Sequence, residues 1–222
     1  YRVMKWAPGA SEGTVAAYSP HPNPAFIGAN ISLFVDSSGN IYVAEMFNHR
    51  VTKWAPGASE GIIVAGGNGS GSSYNQLNKP SGVFVDIDGN IYVADMENHR
   101  VMKWAPDADE GILVAGGNNQ GSALNQLTYP HKINVHSSGD IYIADEGNGR
   151  IVKWSPDASE GIIVASGLDW PRGLYVDEDR NVYVADRGNN RVVLWKEGAE
   201  TGTEISKGRT CLLYTSDAAD DL

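Results

Sequence analysis

The sequence predicts an all-β protein, a β-propeller of four-stranded antiparallel blades. Two observations predict it. One strand-closing phrase recurs five times: Tyr1-Arg-Val-Met-Lys-Trp6, Asn48-His-Arg-Val-Thr-Lys-Trp54, Asn98-His-Arg-Val-Met-Lys-Trp104, Asn148-Gly-Arg-Ile-Val-Lys-Trp154 and Asn189-Asn-Arg-Val-Val-Leu-Trp195. Its tryptophans are spaced by 48, 50, 50 and 41 residues, a period that belongs to propeller blades and not to helical solenoid units. Within each period, short apolar runs alternate with Gly-, Asp- and Asn-rich turns, and no helical stretch is visible.

The elements follow in order, and the third repeat shows them most plainly. Val83-Phe-Val85 is a first strand, Asp86-Ile-Asp-Gly-Asn90 a turn, and Ile91-Tyr-Val-Ala94 a second strand. A polar turn from Asp95 to His99 leads into Arg100-Val-Met-Lys-Trp104, then a Pro/Asp/Gly loop and Ile112-Leu-Val-Ala115. β-branched and aromatic residues fill the strands, while Gly, Asp and Asn take the unusual dihedrals of the turns. A sheet this small cannot bury two apolar faces alone, so successive sheets must stack. Blades are expected at about 31–66, 82–116, 132–165 and 173–206, with 1–17 closing a preceding blade. Because the chain starts partway through a repeat, an incomplete ring is expected, whose open blade faces favour self-association. Residues 211–222 resemble one reading frame of a transposon-end sequencing adapter and are set aside as non-native.

Tyr42-Val-Ala-Glu45, Tyr92-Val-Ala-Asp95, Tyr142-Ile-Ala-Asp145 and Tyr183-Val-Ala-Asp186 are each followed three residues on by Asn48, Asn98, Asn148 or Asn189. In these motifs the chain resembles the NHL-repeat family over residues 1 to about 205. The resemblance implies a ring of six blades, of which about four and part of another are present. It implies much less about activity, because similar propellers bind proteins, RNA and small ligands, and a few are enzymes. WD-repeat and kelch propellers fit worse, since the Gly-His and Trp-Asp signature is missing.

Composition narrows the functions. The formal charge is −10, and Asp217, Asp220 and Asp221 in the tail leave −7 for the repeats. Basic residues are spread as one Arg and usually one Lys per blade, which argues against a nucleic-acid surface needing a clustered basic face. The single cysteine, Cys211, lies in the tail, so the repeats hold no disulfide and no cysteine-bound metal. No run approaches the roughly 20 apolar residues of a membrane span. Composition leaves the compartment open, with an extracellular or cell-surface setting favoured. Asn30-Ile-Ser32 and Asn68-Gly-Ser70 have the form of glycosylation sequons.

Near-identical blades act as controls for one another: what recurs is structural, and what departs marks a site. By that test the sets Asp95, Asn98, Arg100 and Asp145, Asn148, Arg150 are turn brackets, the carboxylate accepting turn amides and the Arg reaching nearby polar groups. Trp104 and Trp154, like Trp6, Trp54 and Trp195, are packing residues. Asp86-Ile-Asp-Gly-Asn90 has the spacing of a calcium loop but lacks its later ligands, and recurs as Asp36-Ser-Ser-Gly-Asn40. The long inter-blade loops, Gly67 to Pro80 and Gly117 to Pro130, read as connectors on one face together with the second-to-third-strand turns; the other hairpins are expected on the opposite face.

Departures concentrate at the first strands of the later blades. Tyr129, His131, Lys132, Trp170 and Arg172 are the candidate ligand-binding residues, and an aromatic-plus-cation mouth suits an acidic or peptide-like ligand. His131 and His136 stand an odd number of residues apart on a strand, so they cannot share a metal. His49 and His99 become Gly149 and Asn190 in later blades and form no ring of ligands. No catalytic residue, metal site or cofactor is expected. The reading is a non-catalytic scaffold presenting inter-blade loops to a protein or small polar ligand. Its rivals are a metal-dependent lyase or lactonase, and an RNA-binding propeller that the acidic balance disfavours.

Overall fold

The computed structural model of the chain describes residues 2–18 and 32–207; Asn30 and the tail from 208 onward lie outside them. The first two strands, β1 (Arg2–Lys5) and β2 (Thr14–Tyr18), pair as a two-stranded sheet. Four meanders follow, each a four-stranded antiparallel sheet in chain order. The first is β3 (Ser32–Val35), β4 (Ile41–Glu45), β5 (Arg50–Trp54), β6 (Ile62–Gly66); the second β7 (Pro80–Val85), β8 (Ile91–Asp95), β9 (Arg100–Trp104), β10 (Ile112–Gly116). The third is β11 (Pro130–Val135), β12 (Ile141–Asp145), β13 (Arg150–Trp154), β14 (Ile162–Ala165); the fourth β15 (Pro171–Val176), β16 (Val182–Asp186), β17 (Arg191–Trp195), β18 (Thr203–Lys207).

Two local features differ from the sequence expectation. First strands begin at Pro80, Pro130 and Pro171, ahead of the apolar alternation, because proline can open a strand without donating to the ladder. Pro130 sits opposite Asp145 and Pro171 opposite Asp186, with a register shift just after each. Helical structure is also present: Met46–Asn48, Met96–Asn98 and Glu146–Asn148 are single 3₁₀ turns. They end in left-handed residues, His49, His99 and Gly149, at φ 54°, 53° and 60°.

The chain divides into two compact units, residues 1–93 with 103–112 and residues 94–102 with 113–222. In the first, Trp54 of β5 packs with Val43 and with Ala17 of β2, so a blade tryptophan covers the sheet before it. Phe34 and Phe84 meet at 4.8 Å between ring centroids. In the second, Trp195, Val184 and Leu174 of the last sheet bury themselves against Tyr142, Ala144 and Ile151 of the sheet before.

Each repeated tryptophan rests on a glycine. A Cβ at Gly61 would lie 2.5 Å from the Trp54 ring, at Gly111 2.8 Å from Trp104, and at Gly161 2.6 Å from Trp154. Trp104 and Trp154 are each only 1% exposed. Gly161→Ala is therefore expected to overpack this contact and cost about 1–3 kcal/mol. A denaturant midpoint unchanged from the parent chain would refute that seat.

Turns between first and second strands are closed by a carboxylate. Asp86 Oδ1 accepts the N–H groups of Asp88 (3.1 Å) and Asn90 (2.8 Å), and Oδ2 accepts Asn90 Nδ2 (2.8 Å) and Tyr92 OH (3.2 Å). Both oxygens serve the turn, and Asp36 and Asp177 are held the same way. The third meander exchanges the roles. His136 takes the Asp position and accepts the Ser138 N–H on Nδ1 (3.1 Å), while Asp140 takes the Asn position and accepts the hydroxyls of Ser138 (2.8 Å) and Ser155 (2.6 Å).

Candidate functional site: a bracketed turn and the residue before proline

Every second strand ends in a buried carboxylate. Asp145 Oδ2 accepts Asn148 Nδ2 at 2.8 Å and Arg150 Nε at 2.7 Å, and Oδ1 accepts the Thr128 N–H at 2.7 Å. The rest of the Arg150 guanidinium donates to the carbonyls of Ser122 (2.7 Å), Ala123 (3.1 Å) and Gln126 (3.0 Å). Asp186 repeats the pattern with Asn189, Arg191 and the Asp169 N–H, and Asp95 holds Asn98 and Arg100 at 2.7 Å each. Glu45 reaches the same partners in the first meander. Burial opposes its ionisation, but hydrogen bonds from Asn48, Thr52 and Arg50 outweigh burial and hold its carboxyl below the usual value. These are charge-assisted bonds, the stronger class.

The bracket fixes the inter-blade loop. Asn118 Nδ2 donates to the Asn125 carbonyl and Gln126 Nε2 to the Asn118 carbonyl, and Leu127 is fully buried beneath them. Gly121 accepts from Asn148 in one turn of the next blade, whereas Leu124 accepts the Gly161 N–H beside the opposite turn. The loop is thus laid along the blade and joined to both of its ends, not confined to one rim as the sequence reading expected. The Asn68, Gln76 and Leu77 loop repeats the internal bonds, and Tyr74 accepts the Gly111 N–H.

At the end of each loop one residue is strained. Lys79, Tyr129 and Trp170 have φ of 53°, 51° and 51° although none is glycine and each precedes a proline. Two of the three are latched by histidine: His49 Nδ1 accepts the Lys79 N–H at 3.1 Å, and His99 Nδ1 accepts the Tyr129 N–H at 3.2 Å. The Tyr129 ring stands edge-on to His99, 4.9 Å between centroids. Desolvation lowers the His99 pKa, against the pull of Glu97, Asp145 and Asp95, so the ring stays neutral and its Nδ1 free to accept. Gly149 replaces the histidine where the loop is short, because a Cβ there would run into the Leu168 carbonyl. Sequence reasoning placed these histidines in hairpins without a task; the signal was within the chain, since each histidine precedes a long loop and Gly149 precedes the short one.

The sequence-predicted ligand residues divide between two settings. Tyr129 packs on His99, and Trp170 stands 53% exposed. Arg172 ion-pairs with Glu146 at 2.9 Å and lies 6.0 Å from the Trp170 ring centre. Arg187, which sequence reasoning missed, lies 5.3 Å from the centre of that ring. It holds the position of Met46, Met96 and Glu146, directly after the bracket carboxylate, so comparison of the blades would have exposed it. On β11, burial pulls the His131 imidazole down to about 4, with Glu146 pulling up and Arg172 and Lys132 pulling down. Burial likewise lowers the Lys132 pKa. His136 Nε2 lies 3.3 Å from the Glu178 carbonyl, away from His131's partners. Among the described residues no three His, Cys, Asp or Glu side chains converge as a metal-binding group, and no helix is long and apolar enough to cross a membrane.

The model of the family described as NHL repeat matches residues 77–104, 127–154 and 168–193. These three segments match as NHL repeats. Each match opens at the buried loop leucine, Leu77, Leu127 or Leu168, and runs through the bracket into the third strand, so the NHL unit spans the elements described above. No curated protein matches the chain in sequence. Solved structures do match in fold. A streptogramin B lyase structure superposes with a TM-score of 0.57 at 17% identity, covering 84% of this chain and 56% of that one. A catalytically inactive virginiamycin B lyase from Staphylococcus aureus with quinupristin gives 0.60 at 18% identity, covering 90% and 62%. The selenomethionine-substituted form of that lyase gives 0.59 at 19%, covering 89% and 61%. At these identities the likeness establishes the β-propeller fold alone, and this chain spans 56–62% of the length of those structures.

Proposed function

We propose that this NHL-repeat chain is a non-catalytic binding module, in which a constant frame offers changing side chains to a protein or small polar ligand. One observation carries the reading. The same left-handed backbone before proline bears Lys79, Tyr129 and Trp170, while the carboxylate–Asn–Arg bracket beneath stays the same. A left-handed non-glycine residue costs on the order of 1–3 kcal/mol, and a purely structural position would relieve that with Gly or Asn. Instead three large, chemically different side chains stand there, two of them aromatic and exposed. Variation on a rigid support is the pattern of a recognition surface.

The test uses peptides selected on the chain from a display library. Tyr129→Ala and Trp170→Ala are each expected to weaken their binding by about tenfold or more while the melting temperature holds. Unchanged affinity in both variants would overturn the reading. Likeness to lyase structures supports one rival, so the chain is also incubated with quinupristin and a divalent cation. Intact quinupristin is the expected result; an opened product would make this an enzyme.

A further inference from the structure

We propose that Trp170 and Arg187 form a clasp for a single carboxylate, the acidic side chain of a peptide partner. The proposal rests on the binding-module reading and names the ligand class at its last blade. Its observations are charge and geometry around one exposed indole.

Two guanidiniums flank Trp170, but they are not equivalent. Arg172 is committed: its Nη2 and Nε donate to Glu146 Oε1 at 2.9 Å and 3.2 Å, which neutralises it. Arg187 is exposed, 5.3 Å from the ring centre, and makes no ion pair among the described residues. A guanidinium this close to an indole is held by the cation–π attraction, and an exposed one keeps N–H donors for solvent or a ligand, in a fork that matches the two oxygens of a carboxylate.

The support beneath is fixed. Asp186, the residue before Arg187, is buried, accepts Asn189 and Arg191, and takes the Asp169 N–H at 2.7 Å, while the Gly188 N–H donates to the Asp169 carbonyl at 2.7 Å. Trp170 and Arg187 therefore ride on two segments tied to each other at Asp169. The neighbouring charges also choose the ligand. The Asp169 carboxylate lies against Gly188 and Glu146 is held by Arg172, so either anion faces the same two carboxylates, and a phosphate dianion is repelled about twice as strongly as a monoanionic carboxylate that one guanidinium suffices to neutralise. In the preceding blades the Arg187 position is Met46, Met96 and Glu146, none of which can hold an anion.

Fluorescence polarisation with three labelled hexapeptides tests this: one with glutamate beside phenylalanine, its glutamine counterpart, and its phosphoserine counterpart. The glutamate peptide is expected to bind about tenfold tighter than the glutamine peptide, and added salt to erase most of that preference. Arg187→Ala is expected to abolish the glutamate preference, so that the glutamate and glutamine peptides bind the variant equally. Arg187→Lys is expected to restore only part of the preference, because lysine keeps the charge and loses the fork. Equal binding of glutamate and glutamine peptides, an Arg187→Ala variant that keeps the preference, or tighter binding of the phosphoserine peptide would each overturn the carboxylate clasp while leaving the module reading intact. No measurable binding of any peptide, including display-selected ones, would overturn both.

Discussion

Asp145→Ala is expected to destabilise the chain by about 3–5 kcal/mol, the largest loss for any single side chain outside the apolar core. The reason is what it leaves behind. Arg150 is 5% exposed, and its Nε loses a carboxylate at 2.7 Å. Removing one member of a buried ion pair strands the other in a medium that cannot solvate it, which is where a loss of this size arises. The Thr128 N–H loses its acceptor and Asn148 Nδ2 one of its two at the same stroke, so the start of β11, the 3₁₀ turn and the loop from Ser122 to Gln126 are loosened together. Asp145→Asn keeps one acceptor oxygen but loses the charge and turns an amide NH2 toward donors that faced the other oxygen, so it is expected to lose most of what alanine loses. Urea unfolding followed by tryptophan emission measures all three; a loss under about 1 kcal/mol for alanine would show that the bracket carries little of the blade.

Acid is the second strong lever. His131 has its folded pKa lowered from 6.5 to about 4 by burial. In the window between those values the unfolded chain holds the proton and the folded chain does not, so stability falls as pH falls through it. A difference of that size corresponds to roughly 3 kcal/mol lost between neutrality and pH 4. His99, also lowered by desolvation, adds a loss of the same sign, and its protonation removes the acceptor of the Tyr129 N–H. Asp36, Glu45 and Asp140, held below their usual values by hydrogen bonds that overcome desolvation, contribute at lower pH, beginning near their ordinary pKa values. His131→Ser installs the residue that stands at this position as Ser81. It is expected to flatten the slope between pH 6.5 and 4 while leaving the carboxylate-driven loss below it; a slope identical to the parent would refute the assignment to His131.

The fold was legible because two periodicities agree. The 50-residue recurrence announces stacked identical sheets, and alternation inside each repeat sets strand number and order, so every meander could be drawn from the sequence. Boundaries at Pro80, Pro130 and Pro171 were less visible, since the residues that extend these strands pair through backbone across a register shift and leave no apolar signature. The 3₁₀ turns were hidden for a related reason: Met-Phe-Asn and Glu-Gly-Asn are too short to show a helical period.

At the site, sequence comparison among blades pointed to Trp170 and Arg172 because they interrupt a pattern. It passed over Arg187, which also interrupts a pattern but in a turn already assigned to bracketing. Nor does any alternation encode a histidine accepting an N–H thirty residues away, as His99 does for Tyr129. What exposes that bond is the correlation between histidine and loop length, a signal that has meaning only once the loop is seen lying along the blade.

The loop's two anchor points make its length a discrete variable. A connector free at its tip can gain or lose residues one at a time; this one is joined at Gly121 to one turn of the next blade and at Leu124 beside the other, so a single insertion would throw one junction out of step. The short connector from Gly167 to Pro171 shows the alternative: the whole tip is removed, Leu168 donates its N–H to the Gly149 carbonyl, and the latch histidine disappears with it. In this chain turn and connector occur as matched sets, and a chimera that exchanges one without the other would join incompatible halves.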